Sequence, residues 1–449
     1  MPSPLVETFR TPELRKKIVF VLFILVLYRA GATMPSPGIR FQVLEQCLKP
    51  ADDKTSTGAE QVYSLINMFS GGALLQLSIF AIGIMPYITA SIIVQLLTVV
   101  IPRFEELRKE GQAGQAKMTQ YTRYLTVALA LLQATGIVAM ASSGALLQGT
   151  GKANCTGKDI LINQNIGSLA LIVIVMVAGA MLVMWFGELI TERGIGNGMS
   201  LLISAGIVAR IPHEGVQIFK SRGVFTGCMV IVAGLIIVAG VVFIEMGQRR
   251  IPVQYAKRMV GRKMYGGSST YLPLKVNQAG VIPVIFASSL LYLPMLITNL
   301  IPQGDGGAEG WRTWVTKHLI SSSDPVHIIS YFLLIIFFTY FYVAVTFNPQ
   351  ERADDMKKYG GFIPGIRPGQ PTADYLGYVL SRITLPGSIY LGVIAILPNL
   401  FLEAGSGGAS AQNLPFGGTA LLIMVVVALD TVKQINSQLM QRKYEGFLN

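Results

Sequence analysis

Charge is scarce in this sequence. Lys, Arg, Asp and Glu together make up 13% of its 449 residues, about half the share of a soluble globular chain. That deficit excludes an ordinary water-soluble protein of this size. Histidine and cysteine are rarer still, with three of each. His213, His318 and His327, with Cys47, Cys155 and Cys228, show no metal-ligand spacing. Neither HExxH nor GxSxG occurs, so a metal centre or a membrane hydrolase has no nucleophile, base or ligand set to build on. No cofactor is expected. Three cysteines cannot make a disulfide scaffold, and a single Cys47–Cys155 bridge stays open. The middles of the apolar runs are also almost free of charge, whereas ion and proton relays of coupled transporters keep ionisable residues there.

Long apolar runs are what the sequence does have. It is 52% hydrophobic, with a mean hydropathy of +0.53. Ten runs stand out, at 16–34, 77–101, 120–142, 166–190, 196–212, 224–246, 277–301, 325–347, 375–402 and 415–437. A bilayer core about 30 Å thick takes ~20 apolar residues per helix. Runs such as VALALLQATGIVAM do not alternate as the strands of a membrane barrel must. The expected class is an all-α polytopic membrane protein with ten transmembrane helices. Basic residues favour the cytoplasmic side. With the amino terminus inside, inside segments hold 23 of the 36 lysines and arginines and outside segments 9. Both termini are therefore expected inside.

Two segments repeat. GIMPYITAS at 83–91 and GVIPVIFAS at 280–288 share Gly83/Gly280, Pro86/Pro283, Ile88/Ile285, Ala90/Ala287 and Ser91/Ser288. Each proline lies in a long apolar run, where it disturbs a helix. Five helices fall in each half, 1–223 and 224–449, so matching helices run oppositely across the membrane. Such inverted repeats place functional sites between the halves. Two function classes carry this symmetry. A small-solute secondary transporter would need a polar midplane site, which the sequence lacks. A pathway lined by uncharged aliphatic residues gates by dewetting without binding what passes.

Longer blocks carry a resemblance. NMFSGGAL (67–74), EGQAGQAKMTQYTRY (110–124), GELITERGIGNGMS (187–200), GQRRIPVQYAKR (247–258), STYLPLKVNQAGVIPVIFASS (269–289), FNPQERADDMKKYGGFIPGIRPG (347–369) and FGGTALLI (416–423), with the helix at 83–100, run in order across the chain. Together they resemble the bacterial SecY family, the channel subunit of the Sec protein-conducting translocon. The resemblance implies a non-enzymatic channel in the cell inner membrane that passes unfolded secretory chains and releases membrane helices sideways.

It implies site residues as well. A pore ring falls on Ile84, Ile88, Ile203, Ile285 and Ile423. A plug helix falls at about 65–76, through Leu65, Asn67, Phe69, Gly71, Gly72 and Leu74. A lateral gate lies between the second/third and seventh/eighth helices. Pro86 and Pro283 stand on its facing walls, and Thr89, Gln133 and Asn277 form a polar cluster across it. The loop at 212–223 would be the hinge. Implied partners are the SecE and SecG subunits, the SecA ATPase, the ribosome, signal peptides with their nascent chains, and membrane lipids. Docking of SecA or of ribosomal RNA would use Arg249, Arg250, Lys257, Arg258, Arg262, Lys263, Lys357, Lys358 and Arg367. From the residues alone, most of these charges also fit simple topogenic bias. Met199 departs from the family by standing where isoleucine is frequent.

Overall fold

The computed structural model of the chain describes residues 11–40, 72–74, 76–143, 161–163, 165–255, 258–260, 263–265, 269–300, 314–315, 318–319, 324–406 and 418–445. Helices dominate them: α1 (Pro12–Thr33), α2 (Met85–Val100), α3 (Pro102–Lys109), α4 (Gln112–Ser143), α5 (Ile166–Arg193), α6 (Gly198–Glu245), α7 (Ile282–Leu300), α8 (Pro325–Thr346), α9 (Pro349–Lys358), α10 (Gln370–Ser406) and α11 (Gly418–Glu445). Among the described residues six helical stretches are long and apolar enough to cross a bilayer, at Gln112–Ala139, Ile166–Arg193, Gly227–Glu245, Pro325–Lys358, Gln370–Leu397 and Thr419–Met440. α2 with α3 makes a seventh, bent stretch, and Gly198–Pro212 and Ile282–Leu291 are shorter apolar helices. This is a multi-pass helical membrane fold, as the apolar runs require.

Helix starts follow from their capping residues. Asn197, Asp324 and Asn348 each accept a backbone N–H two residues on, satisfying a donor that the first turn leaves orphaned. Pro325 and Pro349 follow at the first helical position, where a missing N–H does no harm. The string 193–198 is the tight reversal between α5 and α6. Gly196 has φ +92°, and Thr191 Oγ1 accepts from Gly198 N at 2.9 Å while donating to the Gly187 carbonyl.

α6 departs from expectation. Its helical hydrogen bonding runs through 212–223, where a loop was expected to serve as hinge. A straight helix of its 48 residues would be about 70 Å long. Yet Asn197, Ser200 and Ile203 line the same cavity as Glu245 at the other end. The run therefore doubles back on itself. An added Cβ on Gly227 would meet the Phe219 ring at 2.6 Å, a close approach that glycine permits. Pro212 kinks a helix but does not unwind the residues on either side of it.

A small sheet was not foreseen. β1 (Gln248–Tyr255) pairs antiparallel with β4 (Ser269–Lys275), and β2 (Arg258–Val260) with β3 (Lys263–Tyr265) extends the hairpin's far end. β5 (Gly361–Phe362), from the later loop, pairs with the other edge of β1. Ile251 and Leu274 bury against Ile363, Leu376 and Val379. This fastens both loops into one body over α10. The signal lay in QRRIPVQY, where Ile251 and Val253 are buried and their neighbours Arg250, Pro252 and Gln254 exposed, the period-2 pattern of a half-buried strand.

Candidate functional site

The repeated segments adopt the same local structure. Gly83 and Gly280 have φ +61° and +62°, a left-handed conformation natural to glycine. Ile88 N–H donates to the Ile84 carbonyl at 3.2 Å, and Ile285 N–H to the Val281 carbonyl at 3.3 Å, in the same register. Pro86 and Pro283 are the second residues of α2 and α7. They do not interrupt helices, as expected from runs at 77–101 and 277–301; they begin them, because the positive-φ glycine ends the preceding turn. α7 packs against both α2 and α4. The two proline-led helices, 197 residues apart in sequence, thus face each other.

The isoleucines converge. Ile84, Ile203, Ile285 and Ile423 are buried in one apolar cluster with Ile88 packed against it. Ile203, Ile285 and Ile423, from α6, α7 and α11, line a cavity of about 600 Å³. Val281, Ile282, Val426 and Val427 continue its wall. Met199 lies beside Gly187 and Ile84, so its thioether stands at the edge of the waist. The cavity turns polar toward Glu245, Lys275, Asp430 and Lys433. An aliphatic constriction of this kind offers dispersion contacts and no fixed charge or hydrogen bond.

The expected polar cluster across the gate is not formed. The Thr89 hydroxyl donates to the Met85 carbonyl of its own helix at 3.0 Å. Asn277 Nδ2 donates to Glu245 Oε1 at 2.6 Å and to the Gly280 carbonyl at 3.1 Å. Gln133 is half-buried on α4. No hydrogen bond joins the three. Glu245, at the end of a long apolar run where a carboxylate can snorkel to the membrane surface, is instead 5% exposed. A lone carboxylate closing a long apolar run was the available sign of this role.

The remaining predicted residues scatter by region. Arg249 and Arg250 are exposed on β1, Lys357 and Lys358 at the end of α9, and Arg367 on the loop before α10. Arg258 and Lys263 lie on the small hairpin β2–β3. Lys257 and Arg262 fall outside the described residues, as do Leu65, Asn67, Phe69 and Gly71 of the expected plug, and Cys47 and Cys155. Of the plug's end, Gly72 has φ +95° and stands in a turn, so a right-handed helix does not reach residue 76. Leu74 is buried with Leu77, Ala134 and Met176, against α4 and α5.

Two clasped helix walls around an uncharged waist define a multi-pass membrane channel. A family model described as SecY matches residues 78–432. Protein translocase subunit SecY of Mycobacterium tuberculosis (strain ATCC 25618 / H37Rv) is 69% identical over 450 residues, covering 100% of both chains. The protein of the same name from Corynebacterium glutamicum is 60% identical over 99% of this chain and 100% of its own. A solved structure described as "The structure of a protein conducting channel" has a TM-score of 0.60 at 18% identity, covering 93% of this chain and 91% of its own. A second, on the plug domain of the SecY protein, gives 0.56 at 19% identity. These two similarities concern the fold. The chain belongs to the SecY family.

Proposed function

We infer that this chain is the protein-conducting channel of a translocase, passing unfolded secretory polypeptides through the isoleucine waist. The observation that carries the reading is the convergence of Ile84, in the turn that opens α2, with Ile203, Ile285 and Ile423 from three other helices, the last three on one cavity wall. A translocating chain presents every side-chain type in turn, and an aliphatic ring has comparable, weak affinity for all of them. Full-length relatives called protein translocase subunit SecY support it.

In this reading the ten apolar runs span the inner membrane with both termini cytoplasmic. The halves 1–223 and 224–449 meet as an inverted repeat. The seam of α2 and α4 against α7 and α8 is the lateral gate, with Pro86, Pro283, Thr89, Gln133 and Asn277 on its walls. Leucine, isoleucine, phenylalanine and valine favour insertion by about 0.3–0.6 kcal/mol each, and a central charge opposes it by about 2.5–3.5. A side-opening channel therefore sorts secreted chains from membrane spans by partition. Residues 65–76 supply the plug. The hairpin β1–β4 and the loop carrying Arg367 dock SecA or the ribosome, and SecE and SecG complete the complex. The channel does no chemistry of its own, and SecA's ATP hydrolysis or chain elongation supplies direction. The decisive experiment places cysteine at Ile285 or Ile88 and crosslinks a stalled secretory chain. Adducts at both sites, but not at lipid-facing Phe243, support the reading; equal labelling at all three refutes it.

A further inference from the structure

We propose that Arg108 is a latch that holds the cytoplasmic end of the lateral gate shut, by donating to an orphaned carbonyl of the opposite wall. The proposal rests on the channel reading for its role in transport, and on geometry for the contact itself. Arg108 Nη1 donates to the Val345 carbonyl at 3.2 Å, across 237 positions of sequence. Arg108 belongs to α3, which sits on the α2–α4 wall. Val345 is the penultimate residue of α8, on the α7–α8 wall.

Each side of the contact is specified by sequence. The last four carbonyls of a helix lack intrahelical donors. Phe347 and Asn348 leave the helical region, with ψ 102° and 105°. The Phe347 N–H bonds back to Val343 at 2.9 Å. The donor four residues after Val345 would be residue 349, and Pro349 has no N–H. Asn348 spends its side chain on the Gln350 N–H, capping α9. The local chain thus leaves Val345 its oxygen to offer, at the partially negative end of α8, where a cation is favoured.

The donor is held in place by α3. Leu107 is 8% exposed, and any side chain on Gly114 would collide with the Leu107 carbonyl, so α3 lies tightly on α4. The Phe104 and Tyr121 rings add an edge contact at 5.5 Å. Arg108 therefore reaches the other wall from a fixed base, and the contact breaks when the walls part. An exposed charge-assisted bond of this type is weak. Weakness suits a closure that an arriving signal sequence must undo.

Spin labels at Glu106→Cys on α3 and Asp354→Cys on α9 read the separation directly. The host is the full chain with its partner subunits, and Cys47, Cys155 and Cys228 replaced by serine. Arg108→Met keeps the side chain's length and removes its donors. It is expected to raise the widely separated population about two- to five-fold and to admit less hydrophobic signal sequences. Arg108→Lys restores a donor and returns both readouts most of the way. Arg103→Met deletes the same charge elsewhere on α3 and leaves both unchanged. Coincident distance distributions for Arg108→Met and the unsubstituted chain overturn the latch, as does equal opening by Arg103→Met. A channel that exports normally while the latch fails keeps the channel reading. A chain that exports nothing refutes that reading, and the distances still decide the contact.

Discussion

Replacing Asn277 with leucine tests the strongest buried polar contact at the cavity. Asn277 is 3% exposed and Glu245 5%. The amide bonds the Glu245 carboxylate at 2.6 Å and the Gly280 carbonyl at 3.1 Å. Leucine matches the amide's shape but strands both acceptors. Stranding a buried acceptor costs about 1–3 kcal/mol, and a charged one more, so removing the donor to both is expected to cost about 3 kcal/mol or more. Glu245→Met alone is milder, at about 1–2 kcal/mol, because Asn277 Nδ2 keeps the Gly280 carbonyl. In the double variant no carboxylate remains to be stranded, so its loss should fall below the sum of the single losses by about 2 kcal/mol. The assay is a double-mutant cycle on denaturant unfolding of the purified full-length complex. Additivity within about 0.5 kcal/mol would refute the pairing and return Asn277 to the gate cluster that the resemblance implied.

Two further outcomes follow from local geometry. Gly280→Ala meets no atom within 4 Å, so its expected destabilisation of about 1–2 kcal/mol comes from the +62° backbone alone. Gly280→Asn should recover part of it, since asparagine tolerates that region, and unfolding midpoints of the two variants decide it. Arg367→Glu is an exposed change and should alter unfolding by less than about 0.5 kcal/mol while lowering SecA-dependent export; normal export in that variant removes Arg367 from motor docking.

The membrane class was legible because it rests on side-chain type: apolar runs must hide in lipid. The isoleucines placed by the family register share one apolar cluster, and their service as a pore ring belongs to the proposed function. The gate's polar pattern was less legible. Thr89 and Asn277 could each reach several acceptors, and sequence order gives no distances among them. Glu245 illustrates the same loss. At the end of an apolar run a carboxylate can snorkel or bury, and the choice depended on Asn277, 32 positions away. Pro86 and Pro283 were read as interruptions since their runs began upstream. What decided otherwise was the sign of φ at Gly83 and Gly280, which identity alone permits but does not dictate. The hairpin at 248–275 was hidden behind its charge, which drew the reading toward topology and away from the alternation of Ile251 and Val253.

The distribution of strong and weak contacts fits a device that opens along one seam. Arg123 grips Glu188 through two bonds, at 2.7 and 3.1 Å, joining α4 to α5. Phe286 sets its ring edge-on to Phe338 and Tyr342, at 5.6 and 6.3 Å, joining α7 to α8. Asn277 and Glu245 tie the start of α7 to the end of α6. All of these lie within one half. Between the halves at the gate, α7 meets α2 and α4 through segments in which Gly, Ala and Ser recur, and the exposed Arg108–Val345 bond spans the rim. Apolar surface loses little when helices separate into lipid, because acyl chains replace the contacts it gives up. Paired charges or shared polar networks on that seam would be stranded in hydrocarbon at each opening. On the proposed channel reading, a gate that parts repeatedly is built from contacts that lipid or a signal helix can match, with its specific polar bonds kept inside the walls.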